Sequence, residues 1–143
     1  MDIQHITQKH QPNRFGDHQI VDFLYTHLDQ YGDPKEDIQK CINYVYNRGG
    51  FMLIAHEGPQ ILGATIVNET GMQGYIPENI LVYIAVDNKQ RGKGVGKALM
   101  QKALGVSRGD IALHVEPDNP ARHLYEKIGF TNKYLEMRYK KES

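Results

Sequence analysis

Apolar positions along the chain change their period several times. Residues 3 to 8 (IQHITQ) alternate well enough to predict a short opening strand. From Ile20 the apolar residues Ile20, Phe23, Leu24, Leu28 and Tyr31 recur at helical spacing, and Gly32, Asp33 and Pro34 end the run. A second helix starts at Pro34, a good first-turn residue. It has Glu36 and Asp37 near its positive end, sets Ile38, Cys41, Ile42 and Val45 on one stripe, and stops at Gly49 and Gly50. Two short apolar runs, 51–57 (FMLIAHE) and 61–69 (ILGATIVNE), flank Gly58-Pro59 and read as a hairpin. After a loop that exposes Met72 and Tyr75, residues 80–87 (ILVYIAVD) are so continuously apolar that a central strand buried on both faces is expected. Residues 95–106 put Val95, Leu99, Ala103 and Val106 on one helical face. Residues 111–116 (IALHVE) predict a strand, 120–129 a helix with Ala121, Leu124, Tyr125 and Ile128 inward, and 130–140 (FTNKYLEMRYK) a final strand.

The predicted order is β-α-α-β-β-β-α-β-α-β. The strand, glycine-rich turn, helix and strand from 80 to 116 form a β-α-β unit, so those two strands should run parallel within an otherwise antiparallel sheet. The fold class expected is α/β (α+β): three layers, with a central mixed, mostly antiparallel sheet flanked by helices. No repeat or linker interrupts the chain, and residues 1–143 are expected to form a single domain.

Composition narrows the function. With 143 residues, 17 Lys+Arg, 17 Asp+Glu and 40% hydrophobic residues, the chain has the make-up of an ordinary globular domain. Its lone Cys41 excludes a disulfide, a CxxC redox pair and a cysteine zinc site, and suits a reducing compartment. No apolar run approaches a membrane span and the first residues lack a signal-peptide core, so a cytoplasmic location is expected, without membrane association. The zero net charge is unevenly spread. Residues 49–88 hold 4 acids and no Lys or Arg, whereas residues 89–143 hold 12 basic and 6 acidic side chains. There is no broad basic stripe with interleaved aromatics, so nucleic acid is not an expected partner. A local positive site for one polyanionic ligand is.

That site is the stretch Arg91-Gly92-Lys93-Gly94-Val95-Gly96-Lys97. Alternating glycines before a helix turn free N–H groups outward, and the helix dipole with Arg91, Lys93 and Lys97 adds positive potential. A phosphate ligand follows. The nucleotide P-loop spacing fails by one residue and Ala98 offers no hydroxyl for magnesium. A dinucleotide fold is nearer, with Glu116 about 20 residues on, yet Lys97 occupies the place of the third glycine.

Arg91-Gly92-Lys93-Gly94-Val95-Gly96, after a strand ending Ile84-Ala85-Val86-Asp87, resembles the R/Q-x-x-G-x-G/A pyrophosphate signature of the GCN5-related N-acetyltransferase (GNAT) superfamily. Asn119-Pro120-Ala121-Arg122-His123-Leu124-Tyr125-Glu126-Lys127-Ile128-Gly129-Phe130 resembles its later N-x-A-x-x-L-Y-E-x-x-G-F motif. The resemblance implies acetyl-CoA as co-substrate. It implies that the amides of Arg91, Gly92, Lys93, Gly94, Val95, Gly96 and Lys97 hold the pyrophosphate. It further implies that the Ile84, Ala85 and Val86 backbone pairs with pantetheine, that Asn119 contacts that arm, and that Tyr125, beside the cofactor, protonates the departing thiolate. A bulge near Tyr83–Ala85 would aim one N–H at the thioester oxygen.

An amine acceptor is mostly protonated at pH 7, so some group must take its proton. Glu78, Tyr83 and His114 are the candidates, beside a water relay. The other histidines show no metal-ligand spacing, and no metal is expected. Tyr25, Tyr31, Tyr44 and Tyr46 fall on the first two helices, where the resemblance implies the acceptor pocket. The acidic stretch 49–88 favours a cationic acceptor. The expected function is acetyl transfer to a primary amine of a small molecule, by a monomer or homodimer. The alternatives are a protein N-terminus or lysine as acceptor, or a non-catalytic acyl-CoA sensor.

Overall fold

The computed structural model describes residues 1–142. Its strands are β1 (Asp2–Ile6), β2 (Gly50–Glu57), β3 (Gln60–Glu69), β4 (Asn79–Val86) and β5 (Ile111–Leu113). Its helices are α1 (Asp17–Leu28), α2 (Lys35–Asn47), α3 (Val95–Val106) and α4 (Ala121–Ile128), with single 3-10 turns at Asp29–Tyr31 and Asn88–Gln90. The strands form one sheet in sequence order, antiparallel from β1 to β4 and parallel between β4 and β5. The mixed, mostly antiparallel sheet with flanking helices is thus the one expected. Among the described residues, no helix is long and apolar enough to cross a membrane.

The chain packs as two compact units, Met1–Leu113 and the part from His114 onward. In the first, β2 and β3 are buried on both faces because helices cover both. Met52 and Ile54 join Ile20, Leu24, Ile38 and Ile42 from α1 and α2, while the alternate residues Phe51, Leu53 and Ala55 are buried on the opposite face. On that opposite face α3 buries Leu99, Met100 and Ala103. Each fully buried Leu or Ile contributes about 1.5–3 kcal/mol. Gly63 sets the seat of α3: a Cβ there would lie 2.8 Å from Val95 Cγ1 and 2.9 Å from Leu99 Cδ1. A larger residue at 63 would lift the start of α3, and with it the glycine turn, off the sheet.

In the second unit, Asn119 Oδ1 accepts the Ala121 N–H at 2.9 Å and starts α4, and Gly129 at φ 122° ends it. Tyr125 is the buried residue of α4.

Three expectations are corrected. First, β4 is buried on one face only: Leu81, Tyr83 and Ala85 are buried, but Val82 is exposed and Ile80, Ile84 and Val86 are half-buried. The reason is helix coverage: Tyr83 and Ala85 join the core beneath α1 and α2, whereas α3, on the other face, lies chiefly over β2 and β3. Second, β5 stops at Leu113 rather than at residue 116, which leaves His114 exposed beyond the strand. Third, residues 130–140 form no strand. Only Leu135, Met137 and Tyr139 alternate there, after a polar opening. Alternation alone does not make a strand without a ladder partner; among the described residues the segment has none, and Tyr134, Leu135, Met137 and Tyr139 stand exposed.

Candidate active site

The glycine turn is built by β4 and closed by α3. Asp87 donates its N–H to Leu62 O at 2.9 Å, and its carboxylate accepts the Lys89 N–H at 2.8 Å, which winds the chain into the 3-10 turn. Gly92 (φ 80°) and Gly94 (φ 85°) then take the left-handed conformation that a side chain resists. Gly94 is the N-cap of α3 and supplies no side-chain oxygen, and the first turn of the helix holds no acid. The first hydrogen bond into the helix is Ala98 N–H to Gly94 O at 3.0 Å. The N–H groups of Val95, Gly96 and Lys97 lie ahead of it, at the positive end of the helix dipole. Arg91, Lys93 and Lys97 are exposed around them. Helix amides ahead of the first intrahelical bond, the positive dipole end and the exposed Lys93 and Lys97 give this turn a positive local field, while the Arg91 guanidinium donates to His27 O at 3.1 Å.

Beside that turn the β4 backbone is available. Past Leu81 no residue of β5 pairs with β4, so Val82–Val86 carry N–H and C=O groups without a ladder partner on that side. The register with β3 shifts between Ile66 and Val67, which face Tyr83 and Leu81 and leave Val82 as the extra, exposed residue. The expected bulge therefore sits at the edge of the Tyr83–Ala85 segment. Thr65, itself buried, donates its hydroxyl to Tyr83 O at 2.8 Å and braces the strand at this point.

Tyr83 reaches across to the loop between α1 and α2, where its hydroxyl donates to Asp33 Oδ2 at 2.5 Å. Burial, and then the Asp33 carboxylate, push the phenol well above its ordinary pKa, so it stays protonated and serves as a donor. Asp33 also lines a groove of about 590 Å³ with Tyr25, Thr26, Asp29, Gly32 and Pro34. Asp29 holds a positive φ of 53° there. Of the helix tyrosines named above, Tyr25 lines this groove. Tyr44 instead donates to Glu69 O at 2.6 Å and Tyr46 to Asp17 Oδ1 at 2.7 Å, so both tie elements of the scaffold together. Cys41 is buried, with its thiol pushed up to about 12, chiefly by burial.

The remaining candidates are dispersed. Glu78 accepts N–H groups from Asp110 at 2.7 Å and Gly74 at 3.0 Å, bonds that hold its carboxyl below the usual range and make it a weaker base. It braces the loops on either side of the β4 entrance, and Gly109 leaves room for it. His114 is exposed at the start of the second unit. Asn119 spends its oxygen on starting α4 and keeps its amide N–H groups. Tyr125 is buried with its ring centroid 6.1 Å from that of Phe130, and burial raises its hydroxyl to about 12. Residues 84–97 thus run from the end of β4 through the glycine turn into the start of α3, with Ala85 and Val95 buried. Sequence reasoning missed Asp33 and His27, whose partners lie far along the chain.

Residues 48–132, more than half of the chain, match the acetyltransferase (GNAT) domain family. The chain is 33% identical over 88 residues to a 5-NmdU N-acetyltransferase of Pseudomonas phage PaMx11, covering 60% of each chain. It is 32% identical over 99 residues to the N-alpha-acetyltransferase RimI of Mycobacterium tuberculosis, covering 68% of this chain and 57% of that one. It is 33% identical over 98 residues to a mycothiol acetyltransferase of Rhodococcus erythropolis, covering 64% of this chain and 33% of the relative. The matches therefore span about 60% or less of these relatives' lengths. Among solved structures, the aminoglycoside N-acetyltransferase AAC(6')-Iy in complex with CoA superposes with a TM-score of 0.71 at 17% identity, covering 99% of this chain and 95% of that one. A probable acetyltransferase superposes with a TM-score of 0.72 at 21% identity, covering 100% and 98%. At these identities the likeness is one of fold.

Proposed function

The chain belongs to the GNAT family of acetyltransferases, and from that membership we propose that it transfers the acetyl group of acetyl-CoA to a primary amine of a small molecule. One observation carries the reading. An uncapped helix N-terminus behind two left-handed glycines follows a strand that keeps its β3 ladder but has no β5 partner past Leu81. A diphosphate matches the first feature and the amides of pantetheine match the second. The thioester then lies along β4 near the Val82 bulge, where a backbone N–H can stabilise charge that develops on its oxygen.

Attack by a neutral amine nitrogen forms the new C–N bond, and collapse breaks the C–S bond. Tyr125, whose hydroxyl is protonated throughout the neutral range, donates to the departing sulfur. Tyr83 and Glu78 are poorly suited to take the amine's proton, the first because it is a committed donor and the second because its anion is stabilised. That step falls to His114 or to water. Asp29 and Asp33 in the groove suit an acceptor that carries positive charge. A cytoplasmic setting fits the unpaired, buried Cys41.

The test is release of free thiol from acetyl-CoA across a panel of primary amines. Turnover with at least one small cationic amine is expected. Turnover only with peptides bearing a free N-terminus would move the assignment to a protein acceptor, the reading that the likeness to RimI favours. Tight binding of acetyl-CoA with no turnover on any amine or peptide would make the protein a sensor and overturn the enzymatic proposal.

A further inference from the structure

Near the end of α1, His27 meets the segment that joins β4 to the glycine turn. The Asn88 N–H donates to His27 Nδ1 at 3.2 Å, and His27 Nε2 lies 3.8 Å from Asp87 Oδ2. Arg91 Nη2 donates to the His27 carbonyl at 3.1 Å, and the Phe23 ring packs on the imidazole with centroids 4.5 Å apart. A ring nitrogen that accepts an N–H carries no proton, so the contact with Asn88 assigns the proton of the neutral ring to Nε2, toward the Asp87 carboxylate. One side chain therefore touches both residues that begin the turn, and its carbonyl, one of the unpaired acceptors at the end of a helix, holds the arginine of the turn.

The turn needs such an anchor. Its glycines have nothing within 4 Å of where a Cβ would stand, and residues 91–94 are exposed, so the loop has little packing of its own. Fixing a backbone costs conformational entropy, and a loop ordered only by its ligand subtracts that cost from affinity. We infer that His27 is a positioning residue for the diphosphate-binding turn: by accepting the Asn88 N–H and holding Arg91 through its carbonyl, it pre-organises the turn for CoA. The inference rests on the turn being the CoA site, as proposed above.

The test uses calorimetric titration of CoA and steady-state kinetics on four variants. His27→Asn puts an amide oxygen near the position of Nδ1, His27→Gln puts it near Nε2, and His27→Leu removes both nitrogens. Asn88→Pro deletes the N–H from the turn side, together with the exposed Asn88 side chain; Asp87, at φ −49° and ψ 132°, already has the conformation that precedes a proline. The expected result is CoA binding weakened about tenfold in His27→Leu, His27→Gln and Asn88→Pro, the size of one net hydrogen bond. The KM for acetyl-CoA should rise in parallel, kcat should change little, and His27→Asn should recover most of the affinity. A merely structural role would weaken Asn, Gln and Leu alike and leave Asn88→Pro unaffected. That pattern, or a His27→Leu protein that binds CoA as the wild type does, overturns this inference alone. A wild-type protein that gives no heat with CoA removes the proposed function beneath it.

Discussion

Residues 1–113 and the residues from His114 onward differ in how they hold their apolar side chains. The first unit buries whole strands between helices. The second buries Tyr125 of the eight-residue α4 and leaves Tyr134, Leu135, Met137 and Tyr139 in solvent. A helix of that length is not stable by propensity alone, so α4 owes its order to packing. The contrast separates two duties. The proposed anion site rides on the first unit, where α3 is seated by Gly63, Val95 and Leu99. The proposed proton donor stands on the lightly packed one. Substitutions in the first unit should therefore act on stability and cofactor affinity, and substitutions in the second on turnover.

The largest effect is expected at Leu99, which is fully buried in α3. Leu99→Ala should cost about 2–5 kcal/mol in urea unfolding, whereas Leu135→Ala should stay within about 0.5 kcal/mol. Equal losses at the two sites would break the contrast. Next, Tyr125→Phe should lower kcat by roughly a hundredfold with CoA affinity unchanged. Undiminished turnover would remove the tyrosine from the chemistry. Smaller is Gly94→Ala: forcing a Cβ into the left-handed conformation should cost about 1–2 kcal/mol and weaken CoA binding, without touching the second unit.

The last effect shows only in alkali. The Tyr125 hydroxyl is raised from 10.0 to about 12, so burial favours its protonated form and the folded state binds its proton more tightly than the unfolded one. This contribution to stability is complete below pH 10 and is lost as the pH climbs toward 12. Tyr83 is shifted in the same direction. The stability of the wild type should therefore fall between pH 10 and 12, and Tyr83→Phe and Tyr125→Phe should each flatten the fall. An unchanged slope in both would contradict the burial of these hydroxyls.

What the sequence made legible was local. The helix at 95–106 matches α3 at both ends because a glycine starts it and one apolar stripe runs through it. The turn of left-handed glycines ahead of it was readable because its residues are contiguous. The contacts of His27 with Asn88 and of Tyr83 with Asp33 join residues 61 and 50 positions apart, and no periodicity reports such pairs. The exposure of Val82 was hidden for a related reason. Hydropathy reads ILVYIAVD as buried on both faces, but whether a helix covers each face is decided by tertiary packing, and α3 lies chiefly over β2 and β3. The segment 130–140 offered apolar alternation without showing whether a ladder awaited it.

The amides at the start of α3 and the neighbouring β4 edge carry the proposed chemistry, and calorimetric titration of acetyl-CoA into the wild-type protein tests them most directly. Saturable binding of one acetyl-CoA per chain, weakened by Gly94→Ala and reduced when the ligand lacks its diphosphate, is the predicted result. The absence of heat at millimolar acetyl-CoA, or equal binding of a pantetheine fragment without phosphates, would contradict it.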